Sequence, residues 1–138
     1  MKSRNLLESF NFAFEGIIHA FKTQRNIRLH FGATALVLLA SLIFKLTKVE
    51  ILLLFLTITL VVVAEMINTA IEVSIDLFTQ KHHPLAAIAK NVAAGAVLIA
   101  SAMAVVVGYL IFFPVIEPMI PRVIVALRKV PAYLSLVA

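Results

Sequence analysis

The chain contains no cysteine. That excludes disulfides, thiolate metal sites and a cysteine nucleophile. Its four glycines, Gly16, Gly32, Gly95 and Gly108, lie far apart. No G-x-x-x-x-G-K-[ST] loop or G-x-G-x-x-G turn can be written from them, so any nucleotide is held by other means. Charge is also scarce: 14% of the residues are charged and 62% are hydrophobic, with a mean hydropathy of +1.07. Soluble domains carry about 25% charged residues, so the composition is that of an integral membrane protein. The 138 residues make one domain. The net charge of +5 is spread over the flanks of apolar segments, which suits anionic lipid headgroups and not nucleic acid. No internal repeat or low-complexity linker is visible. The N-terminal "MKSRNLLESFNFAFEGIIHAFK" has charges throughout and no small-residue cleavage site, so it is not read as a signal peptide.

What remains is a succession of apolar helical patterns. Over residues 5–21, Leu6, Phe10, Phe14, Ile17, Ile18 and Phe21 recur at three- and four-residue spacing, with Glu8, Glu15, His19 and Lys22 mostly between them. This predicts an amphipathic helix lying in the membrane interface. Three spans are expected after it, over residues 29–44, 49–78 and 85–113, the last stopping at Pro114. The fold class is therefore all-α: an interfacial helix and three transmembrane helices. Lys2, Arg4, Lys22, Arg25 and Arg28 precede the first span, against Lys45 and Lys48 beyond it. The basic bias puts the N-terminus and the "TQKHHP" loop in the cytoplasm. The tail, residues 115–138, would then be outside, although its Arg122, Arg128 and Lys129 pull against that side; a second interfacial helix there has no functional reading.

The second span carries the chemistry. It runs from "ILLLFLTITLVVV" straight into "AEMINTAIEVSIDL" with no turn residue between. As a helix it would be about 45 Å long, against a hydrocarbon core about 30 Å thick. Its last turns must leave the bilayer. Glu65 falls near the boundary, with Glu72 and Asp76 beyond it. At the helical repeat, Glu65, Asn68, Glu72 and Asp76 share an arc of about 80°, with Thr69 beside them. Three acids on one face repel one another and call for a cation, a proton or a basic partner. Magnesium suits them, because it takes carboxylate oxygens while keeping water or phosphate oxygens. Lys90 in the next helix, "AIAKNVAAGAVLIA", offers positive charge that phosphate would accept. Below it, Ala93, Ala94, Gly95 and Ala96 form a small-residue surface for close helix packing.

Plainer readings stand beside these. The acidic stripe is also what a solvated helix face looks like, and Lys90 also fits an interfacial anchor. His82 and His83 read as loop residues, Lys45 and Lys48 as anchors, and Asn26, Arg28 and His30 as headgroup-facing.

Taken together, "EMINTAIEVSIDL", the loop ending "HHPL", and "AKNVAAGAVL" resemble the prokaryotic diacylglycerol kinase family, which includes the undecaprenol kinases of Gram-positive bacteria. The E-x-x-N-[ST]-A-I-E core is specific to it, and the likeness runs without obvious gaps from about residue 6 to 114. "HHPLA", "AAGAVL" and "RNIRLH" look more like the undecaprenol-kinase branch. The resemblance implies a homotrimer in the bacterial inner membrane with sites shared between subunits. It implies transfer of the ATP γ-phosphate, with magnesium, onto a membrane lipid alcohol, undecaprenol ahead of diacylglycerol. Carried over residue by residue, Glu65 is the general base at the alcohol, with Asn68 a polar contact beside it. Glu72 is a magnesium ligand and Lys90 a phosphate contact. Asp76 and His83 lie where relatives contact nucleotide. Two positions depart from the pattern. Gln24 stands where relatives usually have the acid that completes the magnesium site, and Asn91 follows the lysine where Asp is usual. Both remain ATP-site positions with one charge fewer, and weaker magnesium binding is expected. Two rival functions stay open: a catalytically degenerate lipid-binding trimer, and a proton- or cation-coupled transport subunit.

Overall fold

The computed structural model describes residues 5–79 and 83–121. The tail beyond, read above as a candidate second interfacial helix, and loop residues 80–82 lie outside the described residues. Four helices follow in order: α1 Leu6–Thr23, α2 Arg25–Ile43, α3 Lys48–Phe78 and α4 Pro84–Ile116. A single 3-10 turn, Glu117–Met119, closes the described chain. Three of these helices, α2, α3 and α4 with its 3-10 extension, are long and apolar enough to cross a membrane.

Each boundary has a local cause. Asn5 caps α1, its side-chain oxygen accepting from Glu8 N at 2.9 Å. Gln24 is extended and ends α1 while starting α2, so the two helices meet with no intervening loop. Arg28, read from sequence as a headgroup contact, turns back instead. Its Nη1 donates to the carbonyl oxygens of Phe21 at 3.2 Å and Lys22 at 3.1 Å. A cation on the orphan carbonyls of a helix C-terminus opposes the negative end of the dipole. Phe21 and Phe31 add an edge-to-face contact at 5.5 Å. This elbow fixes the angle of α1 on the spans.

Between α2 and α3 the chain reverses at Lys45, the one non-glycine residue with positive φ among the described residues, 52°. Leu46 N donates to Ser41 O at 3.2 Å, the six-to-one bond of a Schellman stop. Thr47 and Glu50 then form a reciprocal capping box that starts α3. At the other end His83 caps α4 and Pro84 takes its first position, where a missing N–H costs nothing. The third span was expected to stop at Pro114, yet α4 continues through it to Ile116. The proline lacks an N–H, so α4 forfeits one backbone bond there while keeping its helical course.

The main packing surface is α3 against α4, with α2 laid beside α3 and α1 touching both α2 and α3. α4 buries Ala93, Ala100 and Ile111. Of the small-residue stretch over residues 93–96 only Ala93 is buried, and a methyl added at Gly95 would meet no atom within 4 Å, so that surface is not a close helix contact within one chain. Most other large apolar side chains are exposed, among them Leu42, Leu77, Leu98 and Ile99. In water that surface would be prohibitive; in lipid it is the solvated face.

Candidate active site

The stripe that α3 buries changes chemistry along its length. Leu54 and Val61 are buried at one end, and Glu65, Asn68 and Thr69 further along the same face. The spacing 54, 58, 61, 65, 68, 72 alternates four and three, so one side of the helix carries them all. Glu65 is 3% exposed, the most deeply buried acid among the described residues. Thr69 spends its hydroxyl on Glu65 O at 2.9 Å, which leaves the carboxylate itself without a hydrogen-bond partner among the described residues. A buried, unpaired carboxyl is costly in a fold and is where function is to be sought.

One turn on, Asn68 donates through Nδ2 to Glu72 Oε1 at 3.0 Å. Its Oδ1 is buried and has no donor among the described residues. Leaving such an acceptor unmade costs about 1–3 kcal/mol, so the amide is oriented for a partner outside this set of contacts. Glu72 is half-buried. Asp76, a further turn out, meets Lys90 Nζ of α4 at 2.5 Å, the two side chains being 63% and 35% exposed. From Glu65 to Asp76 the ladder covers about 16 Å of helix, from a dry end to a wet one. Lys90 faces it from the neighbouring helix, as the charge argument anticipates.

The remaining predicted residues are not drawn in. Gln24 is half-buried at the α1–α2 junction, and its backbone N–H bonds Ala20 O at 2.9 Å. Its side chain bonds none of the α3 acids among the described residues. His83 is occupied as the cap of α4, its Nδ1 accepting from Leu85 N at 3.3 Å. Asn91 is exposed and turned about 100° from Lys90 around α4.

Among the described residues no group of three or more His, Asp or Glu side chains is close enough to cage a metal ion. The donor set still fits magnesium in its usual enzymatic mode, held by one carboxylate and completed by water and phosphate oxygens. Glu72 has an oxygen left over after its bond to Asn68, and the Asn68 carbonyl is free.

Sequence reasoning did not find Arg28 as the tie between α1 and α2, because its partners are backbone carbonyls six and seven residues earlier, off any helical repeat. It also missed a cavity between α2, α3 and α4, bordered by His30, Val61 and Ser101. A void between three helices leaves no local mark in a sequence.

The profile of the prokaryotic diacylglycerol kinase family matches residues 11–112. A diacylglycerol kinase of Synechocystis sp. is 44% identical over 111 residues, 80% of this chain and 63% of that protein. The match thus spans less than two thirds of that relative's length. An undecaprenol kinase of Bacillus subtilis is 41% identical over 107 residues, 78% of this chain and 87% of that protein. A diacylglycerol kinase of Haemophilus influenzae is 27% identical over 110 residues, 79% of this chain and 93% of that protein.

Proposed function

The chain belongs to the prokaryotic diacylglycerol kinase family, and on that footing we propose that it transfers the γ-phosphate of ATP to the hydroxyl of a membrane lipid alcohol. Undecaprenol is the favoured acceptor, with diacylglycerol next; the motifs "HHPLA", "AAGAVL" and "RNIRLH" support that order. The observation that carries the reading is the α3 ladder: a buried Glu65 without a partner, followed by the Asn68–Glu72 pair, with Lys90 across from it.

In this reading the lipid hydroxyl lies against Glu65, whose carboxylate takes its proton as the oxygen attacks the γ-phosphorus. The bond between that phosphorus and the β–γ bridging oxygen breaks, and ADP leaves. Burial withholds water from Glu65, so the carboxylate serves the lipid hydroxyl in preference to solvent. Lys90 holds the phosphates and offsets their charge, leaving Asp76 for the nucleotide as it does so. Glu72, held by Asn68, and Gln24 are the residues that would hold magnesium. When bound, magnesium supplies further charge neutralisation on the phosphate oxygens. His83 and Asn91 border the nucleotide side.

The assembly proposed is a homotrimer in the bacterial inner membrane with the site on the cytoplasmic side, in keeping with the basic bias of the N-terminal segment. A composite site would bring Gln24, His83 or Asn91 of one subunit to the ladder of another. That accounts for their separation within one chain.

The test is phosphorylation of undecaprenol and diacylglycerol, offered separately with ATP and magnesium to the purified protein in mixed micelles. Product from either lipid, lost in Glu65→Gln while ATP affinity is kept, supports the kinase. No product from a folded protein overturns it in favour of the degenerate lipid-binding homologue. Ion movement that needs Glu65 but no ATP would instead support the transport reading.

A further inference from the structure

Thr69 stands one turn beyond Glu65 on the same face of α3, and the two are 5% and 3% exposed. Its hydroxyl donates to the Glu65 backbone oxygen at 2.9 Å. Thr34, Thr57 and Ser74 make the same bond to the carbonyl four residues back, so the bond alone is ordinary helix chemistry. What sets Thr69 apart is the residue it bonds: an acid, about as deeply buried as itself. The β-branch of threonine makes its helical rotamers stiff, so a hydroxyl set on the backbone stays there.

A hydroxyl has one proton to give and two lone pairs with which to accept. With its proton committed to the backbone, Thr69 Oγ1 has nothing to donate to the Glu65 carboxylate and can only accept on its free side. Side chains four apart on a helix have β-carbons about 5–6 Å apart, a gap that a glutamate side chain spans. The ionised carboxylate is itself acceptor-only, so Thr69 adds nothing to it. Once Glu65 takes a proton it becomes a donor in a dry setting, and a buried donor without an acceptor is costly. Thr69 Oγ1 is an acceptor one turn away. The other buried acceptor on this face is Asn68 Oδ1, but the Asn68 amide is bonded to Glu72, a turn further from Glu65.

We propose that Thr69 is a positioning residue for the phosphoryl transfer, acting through Glu65: with its own proton locked on the backbone, its oxygen receives the hydrogen bond of the carboxyl that Glu65 becomes on taking the acceptor's proton. The inference rests on the lipid-kinase reading and deepens it at the same site. In the transfer the alcohol oxygen bonds to the γ-phosphorus and the bond from that phosphorus to the β–γ bridging oxygen breaks. The alcohol proton passes to a carboxylate oxygen of Glu65. Thr69 neither gains nor loses a proton; it holds the new O–H in place until the phosphorylated lipid leaves and the proton passes to water. The hydrogen bond exists only once the proton has begun to move, so it favours the transition state over the bound substrates.

The experiment uses the full chain in nanodiscs, with undecaprenol and diacylglycerol offered separately, and compares wild type, Thr69→Val, Thr69→Ser and Asn68→Ala. Valine keeps the β-branch and loses the oxygen; serine keeps the oxygen and loses the methyl. Thr69→Val should lower kcat about tenfold, the loss of one hydrogen bond made only in the transition state, with KM for ATP unchanged. Its solvent deuterium isotope effect on kcat should exceed that of wild type, because proton transfer becomes slower relative to the other steps. Thr69→Ser should restore both values to near wild type. If Thr69→Val does not fold, Thr69→Ala, which also lacks the oxygen, takes its place. A packing role predicts the reverse order, with serine the worse variant and the isotope effect unchanged in both, and that result overturns the proposal. So does an isotope effect raised by Asn68→Ala and not by Thr69→Val, which would give the proton's hydrogen bond to Asn68. If wild type phosphorylates neither lipid, the kinase reading fails and this inference with it; an active wild type matched by Thr69→Val sinks the inference alone.

Discussion

Lys90 of α4 and Asp76 of α3 meet at 2.5 Å, at the exposed end of a ladder whose buried end is Glu65. The pair joins the two helices that pack most extensively. It also occupies the charge that the proposed chemistry needs for phosphate, so its structural and functional roles are separable by mutation.

The pair is largely solvent-exposed, and exposed ion pairs contribute less than about 1 kcal/mol. Asp76→Asn and Lys90→Met should each lower thermal stability in detergent only slightly. Lys90→Met should nevertheless cut kcat/KM for ATP by about 100-fold, the loss typical of a group that stabilises transferring charge. A large drop in melting temperature with unchanged kinetics would make the pair purely structural.

Asn68 gives Glu72 its hydrogen bond. Asn68→Ala removes that donor without adding bulk at a buried position. Hydrogen bonds between side chains in membrane proteins average about 0.6 kcal/mol, so the fold should survive. Glu72 loses its orientation, and the magnesium concentration for half-maximal activity should rise several-fold. Titrating activity against magnesium in both proteins decides this; an unchanged midpoint removes Asn68 from the metal site.

Gln24→Glu and Asn91→Asp restore the two carboxylates usual in the family. An added charge on a hard cation strengthens binding, so Gln24→Glu should lower the magnesium midpoint and the double variant should lower it further or match it. Isothermal titration with magnesium and a non-hydrolysable ATP analogue gives the answer directly. A midpoint no lower in Gln24→Glu would mean that residue 24 does not reach the ion.

Lys45 holds a left-handed conformation, which costs a side-chain-bearing residue about 1–2 kcal/mol. Glycine pays none of that strain but loses more entropy on folding. Lys45→Gly should therefore stabilise the α2–α3 reversal by up to about 1 kcal/mol, seen as a raised unfolding midpoint. A lowered midpoint would show that the lysine's anchoring at the interface outweighs its backbone strain.

Arg28 donates to the last carbonyls of α1. Arg28→Ala should speed amide hydrogen exchange in the last turn of α1 and leave α3 protected. Equal exchange in both proteins would assign the α1–α2 elbow to the Phe21–Phe31 contact alone.

Much of this was legible before any coordinates. Long apolar runs of helical length, bounded by Lys45 and Lys48 and by the loop ending at Pro84, can only be spans, because a backbone in lipid must satisfy its own hydrogen bonds. The acids at 65, 72 and 76 share a face by helical repeat alone. So the count of helices, the stripe and the facing lysine are properties of local periodicity, and the family likeness attaches to the same residues. Pro114 shows the limit of that reasoning: proline usually ends a helix, and here α4 runs through it.

Tertiary structure alone decided which members of the stripe are dry and which are wet. Periodicity assigns Glu65 and Asp76 to the same face, but the packed helices bury the first and leave the second largely exposed, because burial depends on where neighbouring helices pass. It likewise left Gln24 and Asn91 apart from the ladder within one chain, and opened a cavity beside Val61. Each of these depends on distances between segments remote in sequence, which no local pattern encodes.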